Sequence, residues 1–263
     1  MKPAHEGGPK YRLSKIERVV ALLSHDFAQM PTFQRPTEHH PSLEGQIAFT
    51  FSDSLGEDVA ATPRLVGFDE AGRGSLAGPV TVACVSFDLG WMRQASGELK
   101  DAILETYADL NDSKKVTARV RERLLARIVQ DADWGIGCAS AMEIDQIGIV
   151  PACQAAARRA YRKLGIQAER ALFDRGLTLG DDETRSAFSS AVQITKGDAK
   201  SFHIAAASIL AKVRRDALMC HLDERSGPYG FAGHKGYGTA AHFEAIAQHG
   251  PSRYHRHTFL RHL

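Results

Sequence analysis

The passage from Leu65 to Phe87 most constrains what this chain can fold into. Two apolar, β-branched runs, Leu65–Asp69 and Val80–Phe87, flank the connection Ala71-Gly72-Arg73-Gly74-Ser75-Leu76-Ala77-Gly78-Pro79. Runs of this length and composition read as strands, and the glycine-rich segment between them reads as the turn of a hairpin-like pair. Glycine admits backbone conformations closed to other residues and lets the main chain approach a ligand. The pair commits the chain to a sheet, and its connection is the first candidate site.

Strands and helices then alternate. Thr117 is placed to cap a helix over about Ala118–Gln130, whose buried face is marked by Val120, Leu124, Leu125 and Ile128. A short strand is expected near Ile136–Ala141, and a helix over Pro151–Leu164, with proline in its first turn and Gly165 closing the last. Strands at Arg170–Asp174 and Ala191–Thr195 follow, then a long helix after Asp198 to about Leu222 and a final one over Thr239–Gln248, ended by Gly250 and Pro251. The pattern predicts an α/β layer fold with a mixed central sheet flanked by helices and a C-terminal helical segment.

Residues 1–62 differ in texture, with prolines spaced among His, Ser, Thr and Gly, and read as a partly disordered extension before a main domain at 63–263. Within the extension, Ser14 and Glu17 have capping-box spacing, and Ile16, Val19, Val20 and Leu23 form a short helical stripe suited to docking on the main domain or on a protein partner. The balance of 33 basic against 31 acidic residues is too mild to announce a nucleic-acid partner, so any such surface must be local. Cys84, Cys138, Cys153 and Cys220 stand far apart, which suggests neither a zinc knuckle nor a disulfide framework and fits a reducing cytoplasm. No apolar run is long enough to span a bilayer, and the N-terminus lacks the order of a secretory signal. The histidines show no H-x-x-x-H pair that would favour zinc, and His39-His40 reads as linker.

Carboxylates carry the chemistry. Asp69 and Glu70 close a strand run, and because adjacent side chains on a regular strand face opposite sides, the strand must bend or end there for both to serve one site. Asp174 ends a second apolar run, and Asp198 follows a third just before the long helix, where capping is the plain alternative. Asp216 competes with Asp198 as a fourth ligand. The two are 18 positions apart, or about 27 Å along a continuous helix, so both cannot serve one centre. Asp198 shares the strand-end placement of the others, whereas Asp216 lies within a helix beside Arg214 and Arg215, where an ion pair is expected. Carboxylates converging at strand ends suit hard cations, here two Mg2+ or Mn2+ ions roughly 3.5–4 Å apart that hydrolyse a phosphodiester without a protein nucleophile.

These motifs, in this order, resemble ribonuclease HII. Gly67-Phe68-Asp69-Glu70-Ala71-Gly72-Arg73-Gly74 with Leu76-Ala77-Gly78-Pro79-Val80 is similar to the family's opening signature. Asn111-Asp112-Ser113-Lys114-Lys115, Lys196-Gly197-Asp198, Ala205 to Val213, His234-Lys235-Gly236-Tyr237-Gly238-Thr239, Gly250-Pro251-Ser252 and His255-Arg256 follow in family order, so that the resemblance spans about residues 65–260. It implies a ribonuclease H-like fold, with Asp69, Glu70, Asp174 and Asp198 as metal ligands. It also implies a monomer that cuts the RNA of RNA/DNA hybrids, and cuts 5′ to single ribonucleotides in DNA duplexes to leave a 3′-hydroxyl and a 5′-phosphate.

The same resemblance implies that Gly72, Arg73 and Gly74 read the ribose 2′-hydroxyl, the group that separates RNA from DNA, and that Tyr237 packs on the sugar beyond the junction. A tight turn and a core ring are the bland alternatives. Lys114 and Lys196, with Lys115, Lys200, Lys212 and Lys235, are candidates for phosphate contacts. Two departures stand out. Asp174-Arg175-Gly176 replaces the usual Asp-Gly, followed by a polar insert at Gly180–Arg185 whose Asp181 and Asp182 read as loop residues. Gly236-Tyr237-Gly238 replaces Gly-Tyr-Pro. A hybrid-binding protein without turnover, and a nuclease or recombinase of the same fold acting on plain DNA, are the competing functions.

Overall fold

The computed structural model describes residues 8–29, 64–88 and 97–261. Among them, β1 (Leu65–Ala71), β2 (Val80–Phe87), β3 (Ala132–Ala139), β4 (Arg170–Asp174) and β5 (Ser190–Ile194) form a five-stranded sheet in the order β3-β2-β1-β4-β5. β1, β2 and β3 pair antiparallel, whereas β4 and β5 run parallel to β1. The mixed sheet is therefore as expected, and the hairpin-like pair forms its centre. Helices are α1 (Gly8–Ala28), α2 (Gly97–Thr106), α3 (Ala118–Asp131), α4 (Ala141–Ile147), α5 (Ile149–Leu164), α6 (Asp181–Ala187), α7 (Phe202–Ser226), α8 (Phe231–His234) and α9 (Ala240–His249).

Apolar side chains on alternate strand positions build two cores, one on each face of the sheet. Leu65, Val85 and Leu172 pack with Phe202, Ala206, Ile209 and Leu210 of α7. Val66, Phe68, Val82 and Phe173 pack with Ala152, Ala156 and Ala160 of α5. The alanines of α5 let it lie directly on β3: a Cβ at Gly137 would stand 2.0 Å from the Ala156 carbonyl oxygen.

Local signals explain most boundaries. Thr117 accepts the Val120 N–H as N-cap of α3, and Gly165 closes α5 in the left-handed region. Elsewhere the structure differs from the expectation. β3 stops at Ala139 instead of Ala141 because Ser140 opens α4 with a capping box, its hydroxyl accepting the Glu143 N–H while the Glu143 carboxylate accepts the Ser140 N–H. α5 starts at Ile149, before Pro151, and α7 runs on to Ser226. The insert at Gly180–Arg185, expected as loop, belongs to α6, whose first turn carries Asp181, Asp182 and Glu183 where carboxylates meet the positive end of the helix.

The extension's helix begins at Gly8, so Ser14 lies inside it and is no cap. Its stripe docks on this chain's own sheet layer: Val19, Leu22 and Leu23 are buried in the α7-side core, with Ile16 and Val20 packed against it. Lys15 pairs with Asp109, and the Arg170 guanidinium donates to the Gln29 carbonyl. Leu22 is only 2% exposed, so Leu22→Ala should lower the unfolding free energy by about 2–4 kcal/mol in a urea titration. A helix that merely rested on the surface would give almost no change.

Candidate active site

The parallel ladder between β1 and β4 runs from Leu65↔Arg170 to Phe68↔Phe173. The next residues, Asp69 and Asp174, therefore stand at one level at the C-terminal ends of neighbouring strands. β5 lies parallel beyond β4, with Asp174 opposite Ile194, and the chain then turns through Lys196, at φ 58°, into the short 3-10 turn Gly197–Ala199 that carries Asp198. Ligands of α/β sheets collect outside this edge. The bend or end expected at Asp69 takes a one-sided form, since β1 stays paired with β2 through Ala71 while its pairing with β4 stops at Phe68. Asp198 is not the cap of α7 either; Ser201 is, accepting the Ile204 N–H.

Charge binds these carboxylates into one system. Burial, then the charges of Glu70 and Asp174, raise the Asp69 carboxyl well above the usual range, against the lowering effect of the nearby Ser208 hydroxyl and of the Glu70 N–H, which donates to it at 2.7 Å. Burial also raises Glu70, against the opposing charge of Arg73. Arg73 Nε lies 3.0 Å from Glu70 Oε1, close enough for an ion pair though not aligned as a hydrogen bond, and Glu70 Oε2 is buried without a hydrogen-bond partner. Asp174 Oδ1 accepts the Gly197 N–H at 2.8 Å. Asp198 is raised by burial and then by Asp112 and Asp174. As the side chains stand, no three acidic, histidine or cysteine groups among the described residues form a ready metal cage. Mutually repelling carboxylates with an unsatisfied buried oxygen are nevertheless a donor set that a hard divalent cation fits.

Beside the carboxylates, two buried arginines hold the glycine loop from behind. Arg215 of α7 donates to the carbonyls of Pro79, Lys235 and Ala77 and to the Ser75 hydroxyl, at 2.7–3.2 Å. Arg256 donates to the carbonyls of Gly72, Arg73 and Gly78 at 2.7–3.0 Å. Burial, then the charge of Arg215, pushes the Arg256 guanidinium down to about 9, still charged at neutral pH. The N–H groups of Ser75, Leu76, Ala77 and Gly78 are bonded to carbonyls of Gly72, Gly236 and Tyr254. Those of Arg73 and Gly74 have no hydrogen-bond partner among the described residues, at the loop's outer edge.

The loop's glycines have different reasons. Gly72 sits at φ 88°, and a Cβ there would lie 1.8 Å from Arg215 Nε, whereas a Cβ at Gly74 would meet nothing within 4 Å. Packing requires glycine at the first position and leaves the second open. Arg73 ties the loop to the altered Asp174-Arg175-Gly176 turn by donating to the Gly176 carbonyl at 2.7 Å. Tyr237 is half-buried and no core ring; it lies under Arg215, 5.4 Å from guanidinium carbon to ring centre.

Lys114, Lys196, Lys115 and Lys200 are exposed, and Lys114 is near enough for its charge to act on both Glu70 and Asp198. Lys212 is engaged by Asp216 at 2.9 Å, the structural ion pair expected of Asp216, and Lys235 Nζ donates to the Ala232 carbonyl. Asp181 and Asp182 stay exposed on α6, away from the cluster, with Asp182 paired to Arg185. Sequence reasoning gave no site role to Asp112, whose carboxylate meets Asp198, to Ser208, which links Asp69 to Ser113, or to Arg256 and Arg215. A polar residue buried on the apolar face of α7 was the one available signal for Ser208 and Arg215.

Residues 66–262 match the sequence model of the family described as ribonuclease HII. The chain belongs to the ribonuclease HII family. A ribonuclease HII of Syntrophotalea carbinolica is 45% identical over 201 residues, 74% of this chain and 85% of that protein. Among solved structures, the PCNA:RNase HII complex from Archaeoglobus fulgidus is similar with a TM-score of 0.55 at 25% identity, covering 73% of this chain and 93% of that one. Bst-RNase HIII in complex with Mn2+ shares the fold, with a TM-score of 0.54 at 18% identity over 79% of this chain and 70% of that one. Members of the ribonuclease HII family are endonucleolytic ribonucleases H of type 2, acting on RNA/DNA hybrids.

Two measurements test this geometry. Gly74→Ala should melt within about 0.5 kcal/mol of wild type, as substitutions away from packing do, whereas Gly72→Ala should lose stability clearly, through positive φ and collision with Arg215. The Asp69 carboxyl, raised in the folded state, contributes stability at pH below the usual carboxylate range that is lost as pH rises through its folded value. In chelator at neutral pH, Asp69→Asn should therefore raise the melting temperature and flatten its dependence on pH.

Proposed function

We propose that this ribonuclease HII hydrolyses the RNA strand of RNA/DNA hybrids and cuts on the 5′ side of single ribonucleotides in duplex DNA, leaving a 3′-hydroxyl and a 5′-phosphate. The observation that carries the reading is the meeting of Asp69, Glu70, Asp174 and Asp198 at one sheet edge beside a glycine loop whose outer position, Gly74, is open to an approaching group. In this reading the four carboxylates hold two divalent ions, Mg2+ or Mn2+; when bound, these supply the Lewis acidity that activates water and stabilises the leaving oxygen. The structural relative solved with Mn2+ supports that choice of ion.

The chain's own groups do the selecting. The Arg73 and Gly74 N–H groups reach the 2′-hydroxyl, a contact that deoxyribose cannot return. Arg73, held between Glu70 and the Gly176 carbonyl, couples that recognition to the position of the scissile phosphate. Tyr237 offers its ring to the sugar beyond the junction, and Lys114 and Lys196 contact phosphates, placing the duplex without reading its sequence. The enzyme acts as a monomer. A protein partner also belongs to the reading, since the Archaeoglobus relative was solved in complex with PCNA; it would be met through the extension by residues other than the stripe that α1 buries.

The test is cleavage-site mapping on a DNA duplex holding one embedded ribonucleotide, with Mg2+ and Mn2+ in separate reactions. A single cut 5′ to the ribonucleotide is expected, lost with chelator or with Asp69→Asn and absent from the all-DNA duplex. Tight binding without turnover, or cutting of plain DNA, overturns the proposal.

A further inference from the structure

Asp26 of α1 is fully buried and lies outside the segment that matches the family. Its Oδ2 accepts from the Ser201 hydroxyl at 3.0 Å, the His203 N–H at 2.9 Å and His203 Nδ1 at 2.7 Å, while Oδ1 lies 3.1 Å from His25 Nδ1. Because the Phe87 N–H donates to His203 Nε2, the ring proton sits on Nδ1 and points at Asp26. Burial alone would raise the Asp26 carboxyl, yet the bonds from His203 and His25 hold it below the ordinary range. Asp26 is thus an ionised carboxylate at the N-terminus of α7, a helix start with no access to water.

Those bonds lead toward the site. The Ser201 N–H donates to the Gly197 carbonyl at 2.8 Å, and the Gly197 N–H donates to Asp174 Oδ1, also at 2.8 Å, with Asp198 standing between Gly197 and Ser201 in the chain. The first turn of α7 in turn presses on β1 two residues before Asp69, where a Cβ at Gly67 would lie 2.5 Å from His203. We propose that Asp26 is a positioning residue for the metal centre, setting through Ser201 the turn that presents Asp198 and whose Gly197 N–H orients Asp174. The inference rests on the reading of Asp174 and Asp198 as metal ligands.

Calorimetric titration of the full chain with Mn2+, alongside steady-state cleavage, tests it. Asp26→Ala should weaken Mn2+ affinity and lower kcat by about tenfold each, as loss of a residue behind the ligands does, with KM for the ribonucleotide-containing duplex within about twofold. Asp26→Asn, which keeps an oxygen for the Ser201 and His203 donors, should restore most of both. Leu22→Ala loosens α1 without touching these bonds and should bind Mn2+ as wild type does once the folded fraction is matched. Wild-type affinity in folded Asp26→Ala, or equal losses in Asp26→Ala and Leu22→Ala, overturns the proposal. Should Asp26→Ala fail to fold, Ser201→Ala carries the test, since it cuts the link while leaving Asp26 on His203; unchanged affinity there also overturns it. Wild-type Mn2+ binding that is indifferent to Asp198→Asn would instead defeat the reading of the ligands themselves, and this inference with it.

Discussion

The parallel register of β1 on β4 is the constraint on which the rest depends. Just below the level of the carboxylates, the rings of Phe68 and Phe173, themselves register partners, stack at 4.5 Å between centroids and are covered by Phe188 and Tyr161. A slip of one residue would carry these rings to the other face of the sheet, so the aromatic core fixes the register far more firmly than the carboxylates could. The consequence sits one residue further on. Asp69 and Asp174 are brought abreast although their charges repel, and burial sharpens that repulsion. Core packing thus supports an arrangement of like charges that the fold by itself disfavours and that a bound divalent cation would relieve.

Positive charge answers it on the other side of the glycine loop. Arg215 and Arg256 are both buried, the charge of Arg215 disfavouring the ionisation of Arg256, and their hydrogen bonds go to backbone carbonyls and the Ser75 hydroxyl instead of to carboxylates. Buried charges are tolerated when fully hydrogen-bonded, and this use of carbonyls has a directional result. With the carbonyls of Gly72, Arg73, Ala77, Gly78 and Pro79 turned inward to the guanidinium groups, the loop keeps its shape without a ligand. Its unengaged N–H groups stay at the outer edge, backed by the positive charge of the two guanidinium groups. A chain of net charge +2 therefore needs no broadly basic surface.

Much of this was legible in the residues, and unevenly so. Strands, long helices and their caps followed from period and from single residues such as Thr117 and Gly165, because those signals are local. The bend or end required at Asp69 is met in a form that strand alternation does not foresee: β1 loses its partner on one side only, which opens the site while the pairing with β2 continues. The polar insert reads as loop because α6 buries no residue, so no apolar period marks it. Arg215 and Arg256 are invisible as loop clamps because the loop carbonyls they hold lie more than a hundred residues away in the chain. Asp112 stood inside a recognised motif, but its proximity to Asp198 is a fact of folding alone.

The N-terminal helix shows why a family match can stop short of a structural unit. Phe202, His203 and Ile204 are wholly buried, so the first N–H groups of α7 cannot turn to water. Ser201, as the local cap, satisfies the Ile204 N–H and leaves that of His203 still requiring an acceptor. Asp26 supplies it from a helix nearly two hundred residues upstream, and the same helix closes the core over Phe87 and Phe202 with Val19 and Leu22. Apolar docking of α1 brings the carboxylate to that helix start, and the hydrogen bonds from Ser201 and His203 then fix it in place. Packing of the extension and hydrogen bonding at α7 are therefore separate contributions of one helix, the second set at the base of the turn that bears Asp198.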